Sequence, residues 1–592
     1  MSERNRNSLD LASMQELCKQ LILDLQAGLP SLSKEFSRDL KTMLNRSNHE
    51  GIPYFTQVLP KLGKSLLQGL EEGFYTPPQG FRTKGKLPLF LNGLFSLVFS
   101  KETGLLNPTP DISAIAEIYQ ITGFFYKVNL PYSPEKVKKV LDEFVEVDAN
   151  LPLVEDSAVI AAASDTITSI FKLFDWRSIV PGHGPGSVAT GELYEDKWRF
   201  KRFYEKINWV YPYNQYFVPS LRYRFRRINP DSAKSRSYQA KVVLVPKDSR
   251  GPRLISMEPL EFQFIQQGLS RAMVGHLEKH PITRGLVNFT SQAINRNLVI
   301  DITKGKLAYS TIDLSAASDR VSLDLVRKLF SGVPNLLNAL EATRTEETIL
   351  PDGRIVFFKK FAPMGSALCF PVEAVCFFAL IRAIQRYWHL PDEPVYVYGD
   401  DIIMPSHLLS RVDDLFQQVG LKLNRDKCFT KGPFRESCGM DAVYGHPVTP
   451  VRLRRVLPCS RKDTKGILSA VSLHSQLYLA GWWHTASFLE SFLQRRFGIK
   501  SWSTKVDEEG LYILKCTNGP RRLSYNRPVG RGVSANFYQD FREKRKVFKQ
   551  KSRNSSLNGL HALHQALTNK TVETFPDPHA GQIKLRWVRV SA

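Results

Sequence analysis

Two adjacent carboxylates stand between two apolar runs in this chain. Tyr398-Gly399-Asp400-Asp401 is preceded by Val395, Tyr396 and Val397 and followed by Ile402, Ile403 and Met404. Short apolar runs rich in β-branched and aromatic residues, broken by a glycine, read as two strands of a hairpin. Gly399 supplies the backbone freedom the turn needs. Two acids at the tip of such a hairpin repel each other unless a cation lies between them, and hard cations such as Mg²⁺ favour carboxylate oxygens. Taken alone, the tetrapeptide is equally an ordinary Gly-Asp hairpin turn.

A second acid breaks that tie. Leu307, Tyr309, Thr311 and Ile312 lead as a strand into Asp313, and Val321 to Phe330 follows as a helix-like stretch. A side chain at a strand end can point into a cleft, so Asp313 with Asp400 would make a carboxylate cradle for two metal ions ~3.5–4 Å apart. Such ions activate an attacking hydroxyl and neutralise a leaving pyrophosphate. The plainer reading of Asp313 is an N-cap of the following helix, a job Ser315 or Ser318 would do equally well.

Cations accompany the acids. Lys247, Arg250 and Arg253 cluster in Val245-Pro246-Lys247-Asp248-Ser249-Arg250-Gly251-Pro252-Arg253, and arginine suits bidentate contact with phosphate. A solvated basic loop is the competing reading. Val412 to Leu423 is helical in pattern and leads into Asn424-Arg425-Asp426-Lys427-Cys428-Phe429. Basic residues alternate with aromatics in Lys197-Trp198-Arg199-Phe200 and in Arg222-Tyr223-Arg224-Phe225-Arg226-Arg227, and a helix-like basic run spans Arg542 to Arg553. Cations meet phosphates and rings stack on unpaired bases, so Lys197, Trp198, Arg199, Arg222, Arg224, Arg226 and Arg227 are candidate RNA contacts.

The bulk properties agree. Lysine and arginine number 81 against 57 acids, a net charge of +24, which calls for a polyanionic partner. At 592 residues the chain exceeds one ordinary core, so two to four lobes are expected. Leu87 to Phe99 is too short to span a bilayer, and Phe370 to Ile384, which carries Glu373, reads as a buried helix. No signal peptide, lipidation motif or membrane anchor is read, so a soluble cytoplasmic protein is expected. The seven cysteines show no Cys-x-x-Cys spacing, against zinc or a disulfide framework.

The motifs together resemble a known family. The Asp313 segment is similar to motif A of the palm-type polynucleotide polymerases, and Tyr398 to Asp401 to motif C of RNA-directed RNA polymerases. Between them Pro363-Met364-Gly365-Ser366-Ala367, with the apolar stretch Leu368 to Ile384, resembles motif B. More closely, "DLSAASD", "MGS…F.VE", "VYGDDIIMPS" and "GPFRESCG" resemble the replicase subunit of positive-strand RNA phages, the leviviruses, from about Lys241 to Pro450. Two departures stand out: five residues separate Asp313 from Asp319 where many palm polymerases have four, and Gly365-Ser366-Ala367 replaces the usual Gly-Asn-Gly.

The resemblance implies an α+β, right-hand polymerase of fingers, palm and thumb, with an antiparallel palm sheet and a helical N-terminal extension. Its expected divisions are 1–150 for the extension, 151–305 for fingers, 306–440 for palm and 441–592 for thumb and basic C-terminal region. It implies RNA-templated nucleotidyl transfer from ribonucleoside triphosphates with two Mg²⁺ ions, Mn²⁺ being an alternative. Asp313, Asp400 and Asp401 would be catalytic metal ligands. Lys247, Arg250 and Arg253 would meet the triphosphate; Asp319, Gly365 and Ser366 would meet the nucleotide sugar. Lys427, or its rival Lys422, would be the general acid, and the 432–439 hairpin would grip the primer end. Implied partners are single-stranded RNA template and product RNA, host elongation factors Tu and Ts, and a ribosomal protein, in the cytoplasm of an infected bacterium. Two rival readings are a reverse transcriptase and a non-catalytic RNA-binding assembly protein on a polymerase fold.

Overall fold

The computed structural model describes residues 3–193, 196–217, 239–461 and 463–497, together with the strand segments 523–526, 534–537, 544–550 and 583–589. Helices and mostly antiparallel sheets combine as an α+β fold. At its centre lies a three-stranded antiparallel sheet in the order Tyr309–Ile312, Asp401–Pro405, Tyr396–Tyr398. Its middle strand buries Ile402, Ile403 and Met404 completely. Beneath it runs the helix Cys369–Tyr387, apolar on nearly every face, as a helix enclosed by protein must be. It packs on the helix Ala158–Phe171, whose N-terminus is capped by Ser157 through Ile160 N.

A second sheet carries the basic segment. Its order is Gly251–Met257, Gln239–Asp248, Glu347–Ile349, Ile355–Phe357, and the middle pair, Gln239–Asp248 with Glu347–Ile349, is parallel. The helix Pro134–Ala149 covers it through Leu141 and Phe144, which pack with Val242, Leu350 and Phe358. Pro134 at the first helical position and Ser133 as N-cap start this helix.

The apolar interior is divided between two large clusters. One runs from Val154 to Leu423 around the central helix. The other joins residues from Met14 to Val128 with Phe429 to Phe497. The N-terminal helices Glu3–Gly28, Ser33–Glu50 and Leu59–Glu72 therefore share their core with the helices Thr464–Leu479 and Trp483–Phe497, which follow the central sheet in sequence. Asp24 ties the two halves together, accepting from His484 N (2.6 Å), Thr485 N (3.0 Å) and Thr485 Oγ1 (2.7 Å).

Three local expectations change. The stretch Val321 to Phe330 is not one helix: Ala317–Arg320 ends at Val321, and Leu323–Leu329 restarts under a cap from Ser322 to Leu325 N (3.0 Å). The cap is thus neither Ser315, Ser318 nor Asp313, and Asp313 is left free for other work. The helix expected over 412–423 runs from Leu409 to Gln418. In the basic run of 542–553, Lys544–Gln550 is a strand paired with Ile583–Arg589, a partner whose Ile583, Leu585 and Trp587 alternate with Lys584 and Arg586 at the period of a sheet.

Candidate active site

The paired aspartates sit on a two-residue hairpin. Tyr398 pairs with Asp401, leaving Gly399 and Asp400 as the turn. Gly399 has φ +62° and Asp400 is not in the left-handed region, the pattern of a type II′ turn, which wants glycine first. A Cβ on Gly399 would also meet Phe370 Cε2 at 2.1 Å. Phe370, from the central helix, crosses Tyr398 edge to face at 5.5 Å and so fixes the turn from below. Asp401 is half-buried and accepts from Cys438 N at 3.2 Å. Cys438 and Gly439 (φ +49° and +71°) form the turn of the Phe434–Ser437/Met440–Val443 hairpin, positive at both positions as a type I′ turn requires.

Asp313 leaves the neighbouring strand at its end. That strand is bracketed on its other edge by Phe429, which exchanges both backbone hydrogen bonds with Thr311 (3.0 and 2.9 Å). Asn424 N donates to Asp313 O at 2.9 Å. This register delivers two side chains to the Asp313 carboxylate: Asn424 Nδ2 donates to Oδ2 at 2.7 Å, and Lys427 Nζ lies 3.4 Å from Oδ1. Of the two lysines weighed from sequence, Lys427 is the one that reaches the acids; Lys422 contributes its carbonyl, which accepts from Ser315 N at 2.8 Å.

The acids share one field. Burial within the cleft, then the charge of Asp313, raises the Asp400 carboxyl above the ordinary range, with Lys427 and Arg253 acting the other way. Asp401 is pushed up to about 7 by burial and then by Asp400, Glu436 and Asp313. Burial alone would lower the Lys427 ammonium, but Glu436, Asp313 and Asp401 outweigh it and hold it above its usual value. An acid this strongly held to its proton is poorly tuned for donation while Asp313 stands uncompensated. Among the described residues no three His, Cys, Asp or Glu side chains form a ready metal-binding group. The donor set nevertheless fits Mg²⁺: Asp313, Asp400 and Asp401 offer only oxygen, and their mutual repulsion is what a divalent cation would relieve.

The basic segment faces the same cleft. Asp248 and Gly251 close its hairpin. Ser249 Oγ donates to Thr56 O (3.2 Å), Tyr132 OH donates to Asp248 O (2.9 Å) and Lys136 Nζ donates to Ser249 O (3.0 Å), docking the tip on the N-terminal region. Arg250 is folded back on Asp248 (Nη2 to Oδ2, 2.7 Å) and over the Tyr126 ring. Lys247 and Arg253 remain exposed. The ammonium of Lys247 is lowered by desolvation and then by the neighbouring charges of Arg253, Arg250 and Lys427, with Asp248 acting the other way.

Gly365 belongs to the loop over that sheet. Its φ is +122°, and a Cβ would stand 2.1 Å from Ser256 O, so close backbone approach demands glycine. Ser366 is buried, its Oγ 3.4 Å from Leu368 N. Asp319 is half-buried and takes a 2.8 Å bond from Lys360.

The expected RNA contacts divide. Lys197 is buried, its Nζ donating to Gly184 O (3.0 Å) and to Gly186 O. Trp198 is buried against His183 and Phe264. Both serve the interior in place of the stacking surface expected of them, because a long apolar stem and a ring repay burial once their polar ends find carbonyls or partners. Arg199 is exposed beside Asp196. Arg222, Arg224, Arg226 and Arg227 lie outside the described residues. Arg435, in the expected primer-gripping hairpin, is buried with its guanidinium donating to Tyr309, Gly432, Phe434 and Thr430 carbonyls. No role is read from sequence for Asn424, Lys360 or Glu436: the first two lie far along the chain from Asp313 and Asp319, to which they donate, and Glu436 acts on Asp401 only through its charge.

The structure thus places a strand-end aspartate beside a two-aspartate hairpin, on an antiparallel sheet backed by a helix and faced by cations. Residues 215–463 match the family model described as RNA replicase, beta-chain. The chain is similar to the RNA-directed RNA polymerase subunit beta of Enterobacteria phage SP, 38% identical over 37% of each chain. The corresponding subunit of Escherichia virus Qbeta is 35% identical over 36% of this chain and 35% of its own length. The RNA-directed RNA polymerase beta chain of Escherichia phage MS2 is 33% identical over 36% of this chain and 37% of its own. The matched stretch thus spans little more than a third of these relatives.

Proposed function

We propose that this chain is the catalytic subunit of an RNA-directed RNA polymerase that copies single-stranded phage RNA. The observation that carries the reading is the convergence of Asp313, Asp400 and Asp401 in one field with Lys427 and Arg253. Asp313, Asp400 and Asp401 would hold Mg²⁺, which when bound activates the 3′-hydroxyl and neutralises developing charge on pyrophosphate. The chain's own residues set the stage for attack on the α-phosphorus. Lys247 and Arg253 bind and orient the triphosphate. Asn424 fixes one oxygen of Asp313. Lys427 holds a proton at Nζ, and neutralising Asp313 would loosen that proton for the leaving pyrophosphate. Host elongation factors Tu and Ts, a ribosomal protein and the bacterial cytoplasm belong to the proposal through the resemblance alone. Among the described residues no helix is long and apolar enough to cross a membrane.

The test is incorporation of labelled ribonucleotides on a single-stranded RNA template, with and without Mg²⁺, for wild type and Asp400→Asn. Product from wild type alone, dependent on the metal, with RNA binding equal in both proteins, is the expected result. Synthesis retained in Asp400→Asn removes the metal assignment. RNA binding without synthesis by wild type, even with bacterial extract added, favours the non-catalytic reading.

A further inference from the structure

The turn of the Phe434–Ser437/Met440–Val443 hairpin is held from two sides, and one of them is Asp401. Cys438 N donates to Asp401 Oδ2 at 3.2 Å. On the other side Arg296, from the helix Ala293–Thr303, donates from Nε to Cys438 O at 3.1 Å. Its neighbour Asn295 is buried and donates from Nδ2 to Ser437 Oγ at 3.3 Å. The helix packs along both strands of the hairpin. Three residues far apart in the chain, Arg296, Cys438 and Asp401, thus form one line of two hydrogen bonds with a single residue between them.

Cys438 is an uncommon residue for the place it fills. Its φ is +49°, a conformation that non-glycine residues enter at a cost and that asparagine, aspartate or glycine usually takes in such a turn. A strained residue persists where its surroundings over-determine it, and such places cluster at functional sites. The last ladder pair of the hairpin is Ser437 with Met440. The Cys438 N–H therefore lies beyond the ladder, and the turn aims it at Asp401. An anchored Oδ2 fixes the rotation of the carboxylate, and with it the direction its other oxygen faces. Arg296 is exposed and fills no interior space; what it contributes is the bond to the turn.

We propose that Arg296 is a positioning residue for the metal site: by holding the Cys438 carbonyl it fixes the turn whose N–H orients the Asp401 carboxylate toward a divalent cation. The inference rests on the polymerase reading and adds to it a residue outside both the acids and the cationic segment. A group that holds a metal ligand in place typically costs ~10–100-fold in affinity or activity when it is removed. Arg296 acts on the ligand through one further residue, which puts it at the lower end of that range. Its planar guanidinium holds a carbonyl in one direction, whereas the flexible ammonium of a lysine does so less well.

The experiment measures Mn²⁺ binding to the full chain by electron paramagnetic resonance in wild type, Arg296→Met, Arg296→Lys, Asp401→Asn and the Arg296→Met/Asp401→Asn double variant. Incorporation of labelled ribonucleotides is followed beside it as Mg²⁺ is varied. Arg296→Met is expected to weaken Mn²⁺ binding about tenfold. The half-saturating Mg²⁺ should rise in step, while KM for GTP at saturating Mg²⁺ stays as in wild type. Arg296→Lys should fall between, and Arg296→Met should weaken binding no further once Asp401 is Asn. Wild-type affinity in Arg296→Met overturns the proposal. So does a loss that adds in full on the Asp401→Asn background, which marks a purely structural arginine. Should Arg296→Met not fold, Arg296→Lys decides by the presence or absence of its partial loss. If wild type binds no Mn²⁺, the metal assignment falls and the proposal with it. If wild type binds Mn²⁺ and makes no product even with bacterial extract added, the polymerase reading falls, and the affinities judge Arg296 separately.

Discussion

Gly399 shows how much a single position constrains the Asp400-Asp401 turn. Its positive φ and the 2.1 Å approach of Phe370 to a built Cβ are independent obstacles to any side chain. Gly399→Ala should therefore displace Asp400, and a displacement near 1 Å costs about a hundredfold in rate where geometry is limiting. Adding Phe370→Leu should recover part of the loss, because only the steric half is relieved. Steady-state incorporation by the two variants checks both statements; wild-type rates in Gly399→Ala would refute them. Glu258 makes a pH prediction. It is wholly buried, accepts from Thr345 Oγ1 at 3.1 Å, and burial pushes its carboxyl from 4.5 up to about 7. The folded state then holds a proton that the unfolded chain releases, so this group's contribution to stability falls as pH rises from about 4.5 to about 7 and is flat above. Glu258→Gln should be more stable than wild type at pH 8 by on the order of 2 kcal/mol, the gain vanishing at pH 4. Melting curves at the two pH values read it directly.

Elements were legible in proportion to how local their signals are. The Asp400-Asp401 hairpin, the strand into Asp313 and the helix Cys369–Tyr387 all announce themselves within a dozen residues by apolar period and a turn glycine. The break at Val321 did not, because Ser322 competes for a cap only once Lys359 and Phe361 pair with the chain there. Lys197 and Trp198 misled for a related reason: alternation of basic and aromatic residues looks alike whether the rings face RNA or His183 and Phe264. Lys360 carries no local signal of its enclosure, which depends on Phe144 and Asp148, more than 200 residues away. Another long-range element contact governs the loop before the 434–443 hairpin. Glu71, ending the helix Leu59–Glu72, accepts from Thr430 N (2.6 Å), Thr430 Oγ1 (2.8 Å), Lys431 N (2.7 Å) and Gly432 N (3.0 Å). Removing a carboxylate that satisfies several donors costs about 2–3 kcal/mol. Glu71→Ala should lower the melting temperature accordingly and reduce synthesis, since Lys427 hangs from the same segment. An unchanged melting temperature would show the loop to be held by other contacts.

At the scale of the molecule, the resemblance led to an N-terminal extension and a thumb at opposite ends of the chain, yet apolar burial joins them. Leu17, Leu21, Phe55 and Leu66 from the first region share one cluster with Phe434, Leu453, Leu477 and Leu489. The helix Leu59–Glu72 packs against Gly432 so closely that a Cβ there would meet Leu70 O at 2.2 Å. The N-terminal region is thus a wall of the same body that carries Lys427 and Asp401's backbone partner, and the docked tip at Ser249 links it to the cationic hairpin as well. Each buried leucine or phenylalanine is worth roughly 1.5–3 kcal/mol relative to exposure, so uncovering half of such a cluster exceeds the whole stability of an ordinary domain, about 5–15 kcal/mol. A chain starting at residue 151 should consequently be insoluble or aggregated, whereas the two pieces 1–150 and 151–592 produced together should associate and recover template-dependent synthesis. Size-exclusion chromatography and incorporation assays on the separate and co-produced pieces test this. A soluble, monomeric and active 151–592 would mean that the shared core is dispensable and that the central sheet stands on the cluster around Cys369–Tyr387 alone.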